Sequence, residues 1–119
     1  MVTIAFHKGM TLEKWASKPV SWQVLSIASE MGRAEASLKG RLWGPFKASL
    51  ERTLELIDLT VEANLPNGGL TREMLRFREV LAGIYTNPVP PADTGEFRSL
   101  TKVLLTLEPG AYNLLGVTF

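Results

Sequence analysis

Residues 44–69 read GPFKASLERTLELIDLTVEANLPNGG, and they carry the clearest helical pattern in the chain. Gly44-Pro45 predicts the start of a helix, because proline fits the first helical position, and the run Pro66 to Gly69 predicts its end. Apolar residues between these limits recur every three or four positions. The predicted core face comprises Phe46, Leu50, Thr53/Leu54, Ile57 and Val61. Further apolar residues, Leu56, Leu59 and Ala63, widen this face, which predicts a central helix with neighbours on more than one side.

The preceding segment predicts another long helix, with Ser17 as its cap and Pro19 in its first turn. Its predicted buried face comprises Val24, Ile27/Ala28, Met31, Ala34 and Leu38. Beside this face runs a stripe of small side chains, Ser29, Gly32 and Ala36. A glycine inside a helix costs about 1 kcal/mol relative to alanine, so we interpret Gly32 as a point of close approach for another helix. The helix is expected to end at Lys39 to Arg41, with Gly40 in the left-handed cap conformation.

Two further helices are predicted after residue 69. Thr71 is expected to cap the first of them, whose apolar face comprises Met74, Phe77, Leu81 and Ile84. A proline-rich loop follows over residues 87–94, and Asp93 with Glu96 has the spacing of a capping box. The last helix has the apolar residues Phe97, Leu100, Leu104 and Leu107, and Pro109-Gly110 is expected to stop it.

The two ends of the chain carry weaker patterns. Val2, Ile4 and Phe6 alternate with smaller residues, which predicts either a short strand or an extended arm, and residues 11–16 favour one helical turn with Trp15 inward. The apolar tail, residues 112–119, is expected to dock on the domain or on a partner. Together these patterns predict an all-α, antiparallel four-helix-type bundle, with a short N-terminal arm and an apolar C-terminal tail, in one domain over residues 1–119.

Composition excludes several classes of function. The chain has 119 residues, a net charge of +1 and no cysteine, which rules out disulfides, thiolate catalysis and cysteine-ligated metal centres. A charge so close to neutral argues against generic nucleic-acid binding and against an anionic-membrane anchor. No apolar run reaches the roughly 18–20 residues of a membrane span, and no secretory signal is recognisable, so a cytoplasmic protein is expected.

Catalytic and metal-binding motifs are missing from the sequence. His7 is the one histidine, and no orienting partner lies near it in sequence, so we interpret it as incidental. The Glu-x-x-His pairs of di-metal bundles do not occur, so neither a metal site nor a cofactor is predicted. Asn67-Gly68-Gly69 lacks the following lysine and hydroxyl residue of a phosphate loop, and the serines lack a partner histidine.

Charged residues on the three predicted helices of residues 17–85 form the first candidate site. The set comprises Glu30, Arg33, Glu55, Asp58, Arg76 and Glu79. If Glu30, Arg33, Asp58 and Arg76 converge, they could bind a small charged molecule or a nucleotide, or fix helix register through an ionic network. The alternative is a set of solvated helix faces paired with Arg33, Arg52 and the arginines of the third helix.

The elbow, residues 39–47, is the second candidate site. Lys39, Arg41 and Lys47 stand there without an acidic residue, and Trp43 and Phe46 lie among them. Basic residues interleaved with aromatic ones can hold phosphates and stack bases, which predicts weak RNA binding. The alternative is a pair of helix-end cations and two core aromatics that close a hairpin.

Three segments together resemble a family of small, uncharacterised, prokaryotic all-helical proteins. They are residues 27–34 (IASEMGRA), 51–60 (ERTLELIDLT) and 74–81 (MLRFREVL). The resemblance spans about residues 22–85. It implies the helical fold, implies no activity, and suggests that Ser29 and the six charged residues belong to the shared pattern. A looser likeness is to HEPN-type bundles, whose ribonuclease members carry a histidine several residues after an arginine. Arg33 and Arg76 lack that histidine.

The leading hypothesis is a non-enzymatic bundle that acts by protein association, as a homodimer or an accessory subunit. It depends on the wide apolar face of the second long helix, on the Ser29/Gly32/Ala36 stripe and on the apolar tail. Binding of a small charged ligand and weak RNA binding at the elbow are the alternatives.

Overall fold

A computed structural model describes residues 9–108 of the chain. Its helices are α1 (Leu12–Ala16), α2 (Val20–Lys39), α3 (Trp43–Ala63), α4 (Gly68–Thr86) and α5 (Thr94–Thr106). The prediction of an all-helical fold is confirmed, and so is the helical turn that carries Trp15. His7, the arm around Ile4, the stop at Pro109-Gly110 and the tail over residues 112–119 lie outside the described residues.

Helix α3 is central, as its wide apolar face predicts. It packs against α1, α2 and α4, while α5 packs chiefly against α2. Neighbouring helices run antiparallel, as their contacts show: residues later on one helix contact residues earlier on the next. On α3 and α4, for example, Glu51 contacts Tyr85 and Asp58 contacts Arg78. The long helices therefore follow each other in the spatial order α5, α2, α3, α4.

The core forms along the predicted apolar faces. The fully buried apolar residues of the four long helices include Val24, Ile27, Met31, Ala34, Leu38, Phe46, Leu50, Ile57, Met74, Phe77, Leu81, Phe97 and Leu104. The rings of Phe46 and Phe97 meet edge to face, with centroids 5.6 Å apart, so the start of α3 also contacts α5.

A buried polar cluster, which we call the latch, fixes α1 and the start of α2 to the end of α3. The Trp15 indole N–H donates to the Thr60 hydroxyl at 3.0 Å, and that hydroxyl donates to the Leu56 carbonyl at 2.8 Å. The Gln23 amide donates to the Trp15 carbonyl at 3.0 Å and accepts from the Asn64 amide at 2.9 Å. Each of these polar groups thus has a partner, which burial requires.

Three predicted helix starts are wrong by a few residues. Helix α2 begins after Pro19, and Ser17 ends α1, where its hydroxyl donates to the Lys14 carbonyl. Helix α3 begins at Trp43, so Pro45 is its third residue, a position whose N–H has no helical partner in any case. Helix α4 begins at Gly68. Its cap is Asn67, whose side chain accepts from the Leu70 N–H, and Thr71 lies inside the first turn. The predicted Asp93–Glu96 cap of α5 is confirmed at 3.1 Å.

The end of α2 departs from prediction in a more informative way. Gly40 has φ −81°, an ordinary right-handed value, whereas Arg41 has φ +56°. The Leu42 N–H donates to the Ser37 carbonyl at 2.8 Å and the Arg41 N–H to the Leu38 carbonyl at 3.0 Å. This bonding is a Schellman motif, whose left-handed position usually holds glycine. Here the left-handed residue is one place later than expected and carries a long cationic side chain.

Candidate functional site

The six charged candidates do not form one cluster. Glu30 is 5% exposed, and its carboxylate binds Arg33 at 2.5 Å on the same helix and Arg52 at 3.1 Å on α3. Arg33 itself extends into solvent. Glu30 therefore joins α2 to α3. The alternative interpretation is correct about the partners Arg33 and Arg52 but wrong about exposure, because it places Glu30 on a solvated helix face.

Asp58 belongs to a different contact. Its carboxylate binds the Arg78 guanidinium of α4 at 2.6 Å, and this hydrogen bond raises the pKa of Arg78. Arg78 lies only two positions from Arg76, but two positions turn a helix by about 200°. Arg76 accordingly lies on the exposed side of α4 and binds Glu73 at 2.9 Å.

The remaining members of the predicted cluster are also apart. Glu79 is exposed on α4, whereas Glu55 is buried on α3. None of the six side chains lines any of the three cavities described below. Glu30 and Asp58 thus join separate helix pairs and help to fix the register of the helices, whereas Arg33 and Arg76 pair within their own helices. The six charges do not converge on a common site.

Tyr85 and Glu51 add a further contact between α3 and α4. The Tyr85 hydroxyl donates to the Glu51 carboxylate at 2.5 Å, and this bond raises the pKa of Tyr85 because it favours the protonated phenol. The Lys47 ammonium donates to the Tyr85 carbonyl and lies 4.8 Å from the centre of its ring. Lys47 is therefore engaged with α4, which separates it from the other basic residues of the elbow.

The rest of the elbow opens onto a cleft of about 400 Å³ beside the proline-rich loop. We call it the elbow cleft; its lining comprises Leu38, Lys39, Arg41, Trp43 and residues 90–94. Trp43 is 45% exposed, whereas Phe46 is 1% exposed and lies in the core. The prediction of two core aromatics is thus correct for Phe46 and wrong for Trp43, which lines the elbow cleft.

The charged side chains on the two walls of the elbow cleft differ in whether they have a bonding partner. Within residues 9–108 the side chains of Lys39 and Arg41 make neither an ion pair nor a hydrogen bond. On the opposite wall, the Asp93 carboxylate accepts from the Glu96 N–H and caps α5. The sequence could not reveal this wall, because the loop lies about fifty residues away from the elbow along the chain.

A second opening, of about 430 Å³, lies between α2 and α5. We call it the α2–α5 groove; its lining comprises Leu25, Ala28, Ser29, Gly32, Glu35, Arg98 and Thr101. Glu35 and Arg98 form an ion pair at 3.1 Å across the groove, and this pair raises the pKa of Arg98. The predicted small-residue stripe therefore forms part of an open surface.

A smaller opening, of about 260 Å³, lies between the end of α4 and the start of α5. Ile84 and Phe97 contribute apolar surface, and the loop contributes Val89, Pro90 and Pro91. Because Pro90 and Pro91 also line the elbow cleft, the proline-rich loop separates two cavities.

No family model, curated protein or solved structure matches this chain significantly. The resemblance to a family of small prokaryotic helical proteins therefore stays a prediction. Among the helices that the structure describes, none is long and apolar enough to cross a membrane. Within residues 9–108 the acidic side chains also form no group of three that could hold a metal ion.

Proposed function

We propose that this protein acts by protein association, as a homodimer in which the exposed face of α2 packs against the same face of a second copy. The observation that carries the proposal is an outer stripe on α2, whose members recur at spacings of three and four residues. The stripe comprises Trp22, Leu25, Ser29, Gly32 and Ala36. This is the spacing of residues that pack one helix against another.

Gly32 supports an intermolecular contact more than an intramolecular one. A Cβ atom added there would meet nothing within 4 Å among the described residues, so none of the helices α1 to α5 approaches it closely. An exposed glycine inside a helix still costs about 1 kcal/mol relative to alanine. Close approach of a second copy would explain the glycine, because small side chains let two helix backbones come together.

The stripe is self-complementary in shape. Its bulky members, Trp22 and Leu25, lie in the first half of α2, and its small members follow from Ser29 onwards. An antiparallel pairing of two copies sets the bulky half of each stripe against the small half of the other. A parallel pairing would set bulk against bulk. Two-fold symmetric dimers require such a self-complementary surface.

Trp22 has the features of an anchor for this contact. It is 39% exposed, and its ring meets Trp15 edge to face at 5.2 Å. The Lys18 ammonium lies 5.3 Å from the centre of the same ring. A large aromatic side chain whose orientation is fixed, but whose surface is half open, is typical of interface anchors.

Light scattering coupled to size exclusion, over a range of protein concentrations, tests the proposal. We expect a dimer that dissociates on dilution, and Gly32→Leu should weaken the dimer by about 5- to 150-fold, because bulk at a tight contact costs about 1–3 kcal/mol. Leucine favours the helix over glycine, so the monomer should stay folded. A wild-type chain that stays monomeric at high concentration would refute the proposal.

Gly83→Leu is the matched control. Gly83 is likewise exposed inside a long helix, α4, and a Cβ atom there would also meet nothing within 4 Å in the described part of the chain. The substitution adds the same bulk and the same helix propensity outside the stripe. If Gly83→Leu weakens the dimer as much as Gly32→Leu does, the contact does not lie on α2.

A further inference from the structure

We infer that the elbow cleft binds a small anion that carries a planar ring, of the nucleoside monophosphate class. This site is separate from the α2 stripe and does not depend on dimer formation. Its volume of about 400 Å³ lies within the range of small-molecule sites.

The cationic part of the cleft is formed by Lys39 and Arg41. Neither side chain has a partner among residues 9–108, although ion pairs within or between helices engage five of the other six arginines in this part of the chain. A phosphate group bound there would gain charge-assisted hydrogen bonds, and a guanidinium can hold two phosphate oxygens at once.

The backbone at Arg41 singles out this cation. A residue other than glycine has a free-energy cost in a left-handed conformation such as φ +56°, because its Cβ atom crowds the backbone. Glycine would complete the same helix end without that cost. Among residues 9–108 the Arg41 side chain makes no ion pair or hydrogen bond that would offset this cost, which points to a role for it in the cleft.

Trp43 supplies a surface for the ring. Its indole is 45% exposed and lines the same cleft as Lys39 and Arg41. Bases stack on such exposed aromatic side chains, and the affinity depends little on which base is present. The proline-rich loop forms the facing wall through Pro90 and Pro91, and its prolines keep that wall stiff.

Asp93 and the start of α5 complete the cleft. The Asp93 carboxylate would repel a phosphate placed next to it, but one of its oxygens can accept from a ribose hydroxyl or an exocyclic amine. The ligand is therefore expected to lie with its phosphate towards α2 and with its sugar or base edge towards α5. Lys39, Arg41 and Asp93 are the charged side chains that line the cleft.

Isothermal titration calorimetry with adenosine 5′-monophosphate and the full chain tests this inference. Trp43→Ala should weaken binding by about 5- to 150-fold through loss of stacking. Arg41→Gly should weaken it by about tenfold or more, since a bond to a charged group is lost. Arg41→Gly also keeps the helix end intact, so its effect cannot arise from unfolding. Arg72→Ala, which removes an exposed cation on α4, is the control and should leave the affinity unchanged.

Adenosine and inorganic phosphate separate the two parts of the site, and each should bind at least about tenfold more weakly than the nucleotide. The inference is overturned if the nucleotide gives no binding heat, if adenosine binds as tightly, or if Trp43→Ala and Arg41→Gly have no effect. It is also overturned if single-stranded RNA binds and the mononucleotide does not, because the elbow would then be part of an extended nucleic-acid surface.

Discussion

The two ends of the α2–α3 hairpin both carry a tryptophan and polar side chains, but these are buried and bonded at one end and exposed at the other. At one end lies the latch, where Trp15 is buried and bonded to Thr60, and Gln23 bonds Asn64. At the other end lies the elbow cleft, where Trp43 and Arg41 are exposed. The latch satisfies its polar groups internally and so contributes to stability. The cleft leaves two cations and an indole exposed to solvent, and this exposure is not needed for the stability of the fold.

Truncation of the buried tryptophan should have the largest effect. Trp15 is 2% exposed, so we expect Trp15→Ala to lower the free energy of unfolding by about 3–5 kcal/mol through lost burial and a new cavity. Urea denaturation followed by far-ultraviolet circular dichroism measures the change. A loss below about 1 kcal/mol, the typical cost of an average substitution, would mean that α1 does not hold the latch in solution.

Loss of the buried amide should have the next largest effect. Gln23 is 1% exposed, and its amide bonds carbonyls of Trp15 and Lys18. Gln23→Met keeps the volume but removes these bonds, so it should cost about 1–3 kcal/mol of unfolding free energy. The same urea titration serves as the measurement. A neutral result would show that the amide does not bond α1 to α2 in solution.

Truncation of the exposed tryptophan should cost much less than truncation of Trp15. For Trp43→Ala we expect a loss of about 1 kcal/mol or less, because nearly half of the side chain is already in water. The difference between the two tryptophan variants, measured under identical conditions, tests the contrast between the two ends directly. Equal losses would place Trp43 in the core.

Arg41→Gly should stabilise the protein. Glycine removes the strain of the left-handed backbone, and its extra freedom in the unfolded chain offsets part of that gain, so we expect about 0.5 kcal/mol more stability. Thermal unfolding of Arg41→Gly beside Arg41→Ala separates the backbone from the side chain, since alanine keeps the strain. If both variants behave alike, the left-handed conformation does not cost energy here.

Sequence periodicity was sufficient for the helices and for most of the core. Met74, Phe77 and Leu81 are buried as their spacing predicts. Such an apolar stripe can be recognised from the sequence because it depends only on the local period of the helix. The latch could not be predicted, because Gln23 and Asn64 are isolated polar residues that meet only through tertiary packing.

The candidate sites were harder to predict than the fold. The six charged residues share helical spacing, but the rotation of each helix about its axis decides whether they meet, and that rotation is set by packing. Arg78, and not Arg76, faces Asp58 for this reason. Lys39, Arg41 and Trp43 were recognisable as a group, whereas the facing wall at Asp93 was not, since it comes from a distant loop.

The titration of Tyr85 is the smallest of the expected effects, and it tests the elbow end of the α2–α3 hairpin. Its bond to Glu51 raises its pKa above the ordinary value of 10.0. The stability that this bond gives is thus fully present below the pKa of the unfolded chain and is lost as the pH rises through the folded pKa, in the alkaline range. Tyr112→Phe leaves Tyr85 as the one tyrosine, so near-ultraviolet absorbance can follow its titration. Glu51→Gln in that background should lower the pKa towards 10.0. An unchanged midpoint would mean that the contact between α3 and α4 at this end is open in solution, unlike the latch.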